Sequence, residues 1–185
     1  MVFQFAALFL VLILSSIALK NVWRDMRSSD MLSRRSVILV WVLYLFHLVV
    51  TGYFALDSVF PLGWSEPVRW VAGPILIGGG IGMLLAGVLR FESLQRMSGT
   101  QTDQLITGGI YRYSRNPQNV GWILGLLGMS ILGDSAVALV LTGLFALIFR
   151  THLPREEAHL ERIYDEAYRR YRQRTPRYLG LPKTE

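Results

Sequence analysis

The chain contains no cysteine. That absence excludes a disulfide framework, a thiolate metal site and a cysteine nucleophile. Histidine is nearly absent as well. His47, His152 and His159 are the only three, and none stands in an H-E-x-x-H or similar ligand spacing, so no protein-ligated metal is expected. Acidic residues are outnumbered, 13 against 19 basic, for a formal net charge of +6. Nucleic-acid binders share that balance, but the placement of the charges gives it another origin. Internal repeats and low-complexity tracts are missing too. No lysine or arginine precedes the first apolar run. Residues 1–5 are uncharged and Lys20 follows the run, which is not the pattern of a cleaved secretory leader and predicts a retained membrane anchor.

What the chain does have is apolar length. Hydrophobic residues make up 52% of its 185 positions and the mean hydropathy is +0.37. Crossing a bilayer core takes roughly 20 apolar residues in a helix. Residues 3–19, 37–56 and 70–89 fit one span each. The run 120–149 exceeds one span and is interrupted by Gly133-Asp134-Ser135, a turn signal. Charge decides how to read it. With a hairpin at that turn, 18 of the 19 basic residues fall on one side, Arg69 being the exception. With a single span, the nine tail cations fall on the other. The positive-inside rule favours the hairpin. The sequence therefore predicts an all-α integral membrane protein of five transmembrane helices, the last two a short hairpin, with the N-terminus outside and the C-terminus cytoplasmic in a prokaryotic inner membrane. The positive charge then serves topology and anionic lipid heads, and no nucleic-acid partner is expected.

Gly78 and Gly82 in the third helix and Gly121 and Gly125 in the fourth form small-xxx-small pairs. Such pairs serve close helix packing, or leave room for a ligand. His47, in the second helix, is expected as a hydrogen-bonded packing residue. After Pro154 the pattern changes. Leu160, Ile163, Tyr164, Ala167, Tyr168 and Tyr171 recur at spacings of three and four among Glu, Arg and Asp, which predicts a C-terminal cytoplasmic amphipathic helix. Pro154 suits its first turn, and Glu156 and Glu157 suit the dipole there.

Two polar regions flank the hairpin, 108–121 and 154–177. In the first, Asn116 and Pro117 read as N-cap and first residue of the fourth helix. The free N–H groups of the next turn, with Arg115, make a candidate anion site. In the second, Glu156 and Glu157 make a candidate cation site. Capping and dipole compensation are the generic explanations of both; together, the two sites suit a zwitterion.

The ordered set Gly109-x-Tyr111, Arg115-Asn116-Pro117-x-Asn119-x-Gly121, an apolar hairpin, Glu156-Glu157-x-x-Leu160, then Tyr164, Tyr168, Tyr171 and Pro176-Arg177 resembles the isoprenylcysteine carboxyl methyltransferase and phospholipid methyltransferase family of integral membrane enzymes. The likeness spans residues 105–179. It implies S-adenosylmethionine as cofactor. The cofactor would be held at the cytoplasmic face by residues 90–185 of a single membrane domain, to which residues 1–89 contribute three helices. It implies cofactor contacts from Gly109, Tyr111, Arg115, Asn116, Pro117, Asn119, Gly121, Glu156, Glu157, Tyr168 and Tyr171, with Arg115 and Glu156 as the residues carrying catalysis, and a lipid or lipophilic methyl acceptor. Asn116 stands where the family usually has histidine, and Asn119 where it usually has tyrosine. Asparagine hydrogen-bonds but does not titrate near neutrality.

Two other readings remain open on sequence grounds. Membrane sterol reductases, which use NADPH, show a similar arginine-His-Pro-Asn-Tyr pattern ahead of an apolar hairpin and a tyrosine-rich tail, though a dinucleotide phosphate needs more cationic contacts. A non-catalytic lipid-binding membrane protein is the other. The topology is testable directly. A reporter fused after Glu185 is expected to be active only in the cytoplasm, and extracytoplasmic activity would rule out the hairpin.

Overall fold

The computed structural model describes residues 2–90 and 104–183; Arg96, one of the cations assigned to the cytoplasmic side, lies outside them. Those residues form five α-helices and, among them, no strand: α1 (Val2–Ser28), α2 (Arg34–Leu56), α3 (Gly73–Val88), α4 (Pro117–Leu132) and α5 (Ala136–Arg174). A π-helical turn, Val68–Ala72, leads into α3, and a 3₁₀ turn, Gly109–Arg112, precedes α4. Four helical stretches are long and apolar enough to cross a membrane: Phe5–Ser28, Arg34–Leu56, Val68–Val88 and Ala136–Arg174. The molecule is an integral membrane protein by that measure.

Helix α1 runs nine residues past the apolar stretch 3–19, because no glycine or proline stops it. Its end is tied to the start of α2 by one carboxylate. Asp25 accepts from the Ser33 N–H at 2.9 Å and from the Ser33 and Ser36 hydroxyls at 2.6 Å each. Ser33 in turn caps α2, accepting from the Ser36 N–H. At the opposite end of the bundle, Ala7 and Val11 of α1, Phe54 and Ala55 of α2, and Val137, Ala138 and Leu141 of α5 bury one another.

Gly133-Asp134-Ser135 is a turn, as expected. Asp134 takes a positive φ of 49°. Its carboxylate accepts from the N–H groups of Leu62, Gly63 and Trp64 at 3.1–3.2 Å, so this turn also organises the α2–α3 connection. Ser135 caps α5 and donates to the Val59 carbonyl. Arg69 donates twice to the Leu132 carbonyl at 3.2 Å, joining the start of α3 to the end of α4.

The α3–α4 contact corrects the expected glycine pairing. Around Gly78 and Gly82 there is open space. The packing glycines of α3 are Gly73, Gly80 and Gly87, seven apart and hence on one helical face; on α4, Gly73 meets Gly128, Gly80 meets Gly121 and Gly125, and Gly87 meets Pro117 and Gln118. A Cβ on Gly80 would stand 2.5 Å from the Gly121 oxygen and 2.6 Å from the Gly125 nitrogen; one on Gly121 would stand 2.6 Å from the Gly80 oxygen. Backbone lies directly on backbone, so this face has no room for a ligand. His47 differs from expectation too. It is fully buried edge-on against Phe145, and neither ring nitrogen reaches a side-chain partner.

The largest difference lies in the C-terminal helix. It is not separate. α5 runs without a break from the apolar segment through Pro154 as far as Asp165, so Pro154 sits inside a helix and Glu156 and Glu157 are nowhere near its N-terminus. Its sharp bend is instead at Asp165, with φ 43° and ψ −120°. Side chains register that bend. Glu161 pairs with Arg169 at 2.9 Å and with Arg172 at 2.7 Å, eight and eleven residues away, distances of roughly 12 and 16 Å along a straight helix.

The glycine contact is testable by thermal unfolding in detergent. Gly80→Val is expected to cost about 1–3 kcal/mol, the range for overpacking, while Gly78→Val stays within about 0.5 kcal/mol. Equal losses would show that the close approach carries no stability.

Candidate active site

Pro117 opens α4, and the residues before it are held by the chain's tail. Asn116 stands at the N-cap and Pro117 opens the helix, as expected, but the Asn116 side chain makes no capping hydrogen bond. Its N–H donates to the Ser114 hydroxyl at 3.0 Å, and its side-chain amide donates to the Arg177 carbonyl at 3.0 Å. The Arg115 N–H donates to the Pro176 carbonyl, and the Gly180 N–H to the Tyr113 carbonyl, both at 3.0 Å. Residues 176–180 thus lie as a strap across the segment leading into α4. No sequence periodicity marks such a strap, although Pro176-Arg177 closes the ordered set that carries the family likeness.

The expected anion and cation sites meet each other. Arg115 Nη1 lies 2.6 Å from Glu157 Oε1, with the two side chains only 8% and 6% exposed. Glu157 also takes a two-pronged contact from Arg177, Nε at 3.0 Å and Nη2 at 2.6 Å, and that hydrogen bonding raises the Arg177 pKa above its ordinary value. One buried carboxylate therefore joins α4's entry, α5 and the strap. Beyond the Asp165 bend, Tyr168 and Tyr171 return to the same place. The Tyr168 hydroxyl lies 3.5 Å from Arg115 Nη1, and the Tyr171 hydroxyl donates to the Tyr111 carbonyl at 2.8 Å. Burial raises the Tyr111 phenol above its usual pKa, so it stands as a neutral hydroxyl.

Glu156 points along a different line. Its Oε2 is 3.7 Å from His152 Nε2. His152 Nδ1 accepts from the Trp23 indole at 3.1 Å, which places the imidazole proton on Nε2, facing Glu156. The Arg155 guanidinium stacks 3.8 Å over the Trp23 ring. Trp23 reaches the site only because α1 continues past its apolar run, and nothing in the local sequence marks it.

These residues surround a cavity of about 420 Å³, within the range of small-molecule sites. Tyr111, Arg115, Asn116, Pro117, Asn119, Glu156, Glu157, Tyr168 and Tyr171 all line it. Gly109 and Gly121 do not. Gly121 packs against Gly80. Gly109 takes φ +62°, and a Cβ there would run into the Arg90 guanidinium, so both glycines serve backbone geometry. The opposite wall is apolar and comes from α1 and α2, including Leu19, Val22, Val40 and Trp41. Tyr44, also from α2, donates its hydroxyl to Asn119 Oδ1. Three buried donors on the lining have no hydrogen-bond partner among the described residues: Arg115 Nε, Gln118 Nε2 and Trp122 Nε1. Buried polar atoms are normally satisfied, so these mark where a polar ligand would complete the site.

A family model described as phospholipid methyltransferase matches residues 68–167, more than half of the chain. The chain belongs to this family. The match begins upstream of the likeness read from the motifs, taking in α3, and bears out that likeness. Among curated relatives, the cobalt-zinc-cadmium resistance protein CzcN of Cupriavidus metallidurans is 34% identical over 111 residues, 60% of this chain and 51% of the relative. Protein-S-isoprenylcysteine O-methyltransferase of Rattus norvegicus is 28% identical over 139 residues, 70% of this chain and 47% of the relative. The enzyme of the same name from Schizosaccharomyces pombe is 35% identical over 82 residues, 42% and 33%. The chain thus spans about half the length, or less, of these three relatives. No solved structure is significantly similar to it.

The buried pair has a measurable consequence. Glu157→Gln leaves Arg115 uncompensated and is expected to cost roughly 3–5 kcal/mol of stability, while the double change Arg115→Met with Glu157→Leu costs much less. A double-mutant cycle on unfolding midpoints checks it, and additive losses would mean that the pair is not coupled.

Proposed function

We propose that this protein binds S-adenosylmethionine in the cavity between α4, α5 and the C-terminal strap, and transfers its methyl group to a lipophilic acceptor at the cytoplasmic membrane face. The observation that carries the reading is the composition of one cavity. Unsatisfied donors and a carboxylate gather at one wall, and apolar residues of α1 and α2 form the other.

The side chains fit the cofactor's groups. Arg115 Nε, Gln118 Nε2 and Trp122 Nε1 suit a carboxylate. Glu156, which pairs with no arginine among the described residues, suits an α-amino group or ribose hydroxyls. Tyr111 and Tyr168 offer ring faces to an adenine. Arg115 is already neutralised by Glu157, so its role is to present Nε rather than a bare charge. S-adenosylmethionine supplies a methyl on a sulfonium, which leaves by in-line displacement and needs no protein nucleophile. The protein's contribution is then to align the acceptor with that methyl and to exclude water. Asn116 holds the strap through Arg177, a role for which asparagine suffices in place of histidine. Tyr44 brings a phenol from α2 to the side of Asn119.

The acceptor enters from the bilayer along the apolar wall. In this reading α4, 16 residues long, pairs with α5 as a short transmembrane hairpin, and the N-terminus lies outside. An NADPH-dependent reductase fits less well. Arg115 is the only arginine or lysine lining the cavity among the described residues, and a dinucleotide phosphate calls for several.

Calorimetry on the purified protein in detergent tests the reading. Micromolar binding of S-adenosylmethionine or S-adenosylhomocysteine is expected, weakened at least about tenfold by Glu156→Gln, which removes one charge-assisted contact. Absence of binding by wild type, or unchanged binding by a folded Glu156→Gln, would overturn it.

A further inference from the structure

On the far side of Tyr171 and Leu105, which line both, lies a second concavity of about 590 Å³. Among the described residues its charged lining is cationic: Arg112, Arg170, Arg174 and Lys183. These come from three separate segments. Arg112 belongs to the 3₁₀ turn before α4. Arg170 and Arg174 follow the Asp165 bend at a spacing of four, and so share a helix face. Lys183 is held beside them by its own N–H, which donates to the Arg174 carbonyl at 2.8 Å. Among the described residues Arg112, Arg170 and Lys183 form no ion pair, whereas their neighbours Arg169, Arg172 and Arg177 each hold a carboxylate. Acidic partners are thus used on adjacent positions and, among the described residues, withheld from Arg112, Arg170 and Lys183. Two arginines and a lysine of that kind, from three segments, suit a phosphate.

A second observation concerns the surroundings. Leu179 and Leu181, on the strap beside Pro182 and Lys183, are 60% and 82% exposed. Arg112 stands only five residues ahead of the apolar helix α4, so the groove opens at the level of a membrane edge. Exposed apolar side chains next to a phosphate-matching groove fit a molecule that carries both features.

We infer that this groove binds the phosphate of an anionic membrane phospholipid, at a site separate from the reaction cavity. The acyl chains lie along Leu179 and Leu181. The inference stands apart from the methyl-transfer reading, because the groove's cations line no part of the cavity. Its occupant does press on Tyr171, which the cavity shares.

Native mass spectrometry of the full chain in detergent tests it, with phosphatidylglycerol, phosphatidylcholine and inorganic phosphate as probes. Phosphatidylglycerol has no amine to be methylated, so its retention reports the groove alone. It is expected to bind at least about tenfold more tightly than phosphatidylcholine. The triple variant Arg112→Gln, Arg170→Gln, Lys183→Gln is expected to lose that preference. Arg27→Gln, Arg34→Gln, Arg35→Gln, which removes equal charge near the α1–α2 turn, is expected to keep it. Single Arg170→Gln and Lys183→Gln variants, expected to show several-fold losses, serve if the triple fails to fold. Equal binding of the two lipids, equal losses in both triples, no loss in the singles, or displacement of the lipid by equimolar inorganic phosphate would each overturn the proposal.

Discussion

Glu157 is the point on which the C-terminal half depends. Its carboxylate is buried, so it needs compensation from more than one side. Arg115 reaches it from the segment entering α4, and Arg177 reaches it from the strap after α5. These elements lie far apart in sequence, and the carboxylate makes them one body. The strap's backbone bonds to Arg115, Asn116 and Tyr113 follow from that placement. So does the return of Tyr168 and Tyr171 onto Tyr111 once α5 has bent at Asp165. With these contacts in place, a cavity exists whose walls come from both halves of the chain, though not from the turn at 133–135 and its surroundings.

The membrane half answers to a different constraint. In lipid there is little hydrophobic gain in bringing helices together, so close backbone approach and buried polar ties must do it. The Gly73–Gly80–Gly87 face on α4 supplies the first. Asp25, Asp134 and Arg69 supply the second at helix ends. This rigid α3–α4 pair is what presents Arg115 and Asn116 at a constant height relative to α5. Meanwhile α1 and α2 are left to line the apolar side of the cavity. The division suits a reaction that joins a polar cofactor to an apolar acceptor.

Much of this is legible in the sequence. The apolar runs, the break at Gly133-Asp134-Ser135 and the closeness of the 108–121 and 154–177 regions all follow from hydropathy and charge placement. The participation of Arg115, Glu156, Glu157, Tyr168 and Tyr171 in one lining is what the family likeness implies, and one cavity does hold them all. Where pattern and structure differ, the reasons are physical. Pro154 looks like a helix start, but the helix continues through it: Leu153 is buried and holds the helix in the bundle, while Pro154 itself is exposed. Asn116 holds the N-cap position, but the fold places its Nδ2 on the Arg177 carbonyl and no N–H of the first turn reaches its side chain. Gly78 and Gly82 satisfy the small-xxx-small spacing and Gly80 does not, yet it is Gly80 that packs; only the facing helix distinguishes them.

By itself the sequence determined an all-helical membrane protein with a cationic, tyrosine-rich edge, because hydropathy and charge act locally and along the chain. Only the tertiary structure decided that Arg115 is neutralised by Glu157, that Gly109 and Gly121 serve backbone geometry rather than the cavity, and that Trp23, Tyr44 and Arg177 belong to the site. It also decided that three separate segments leave four cations around one groove. Each of these depends on a partner distant in sequence. Pairwise contacts of that kind are set by where packing places the helices, which no local pattern encodes.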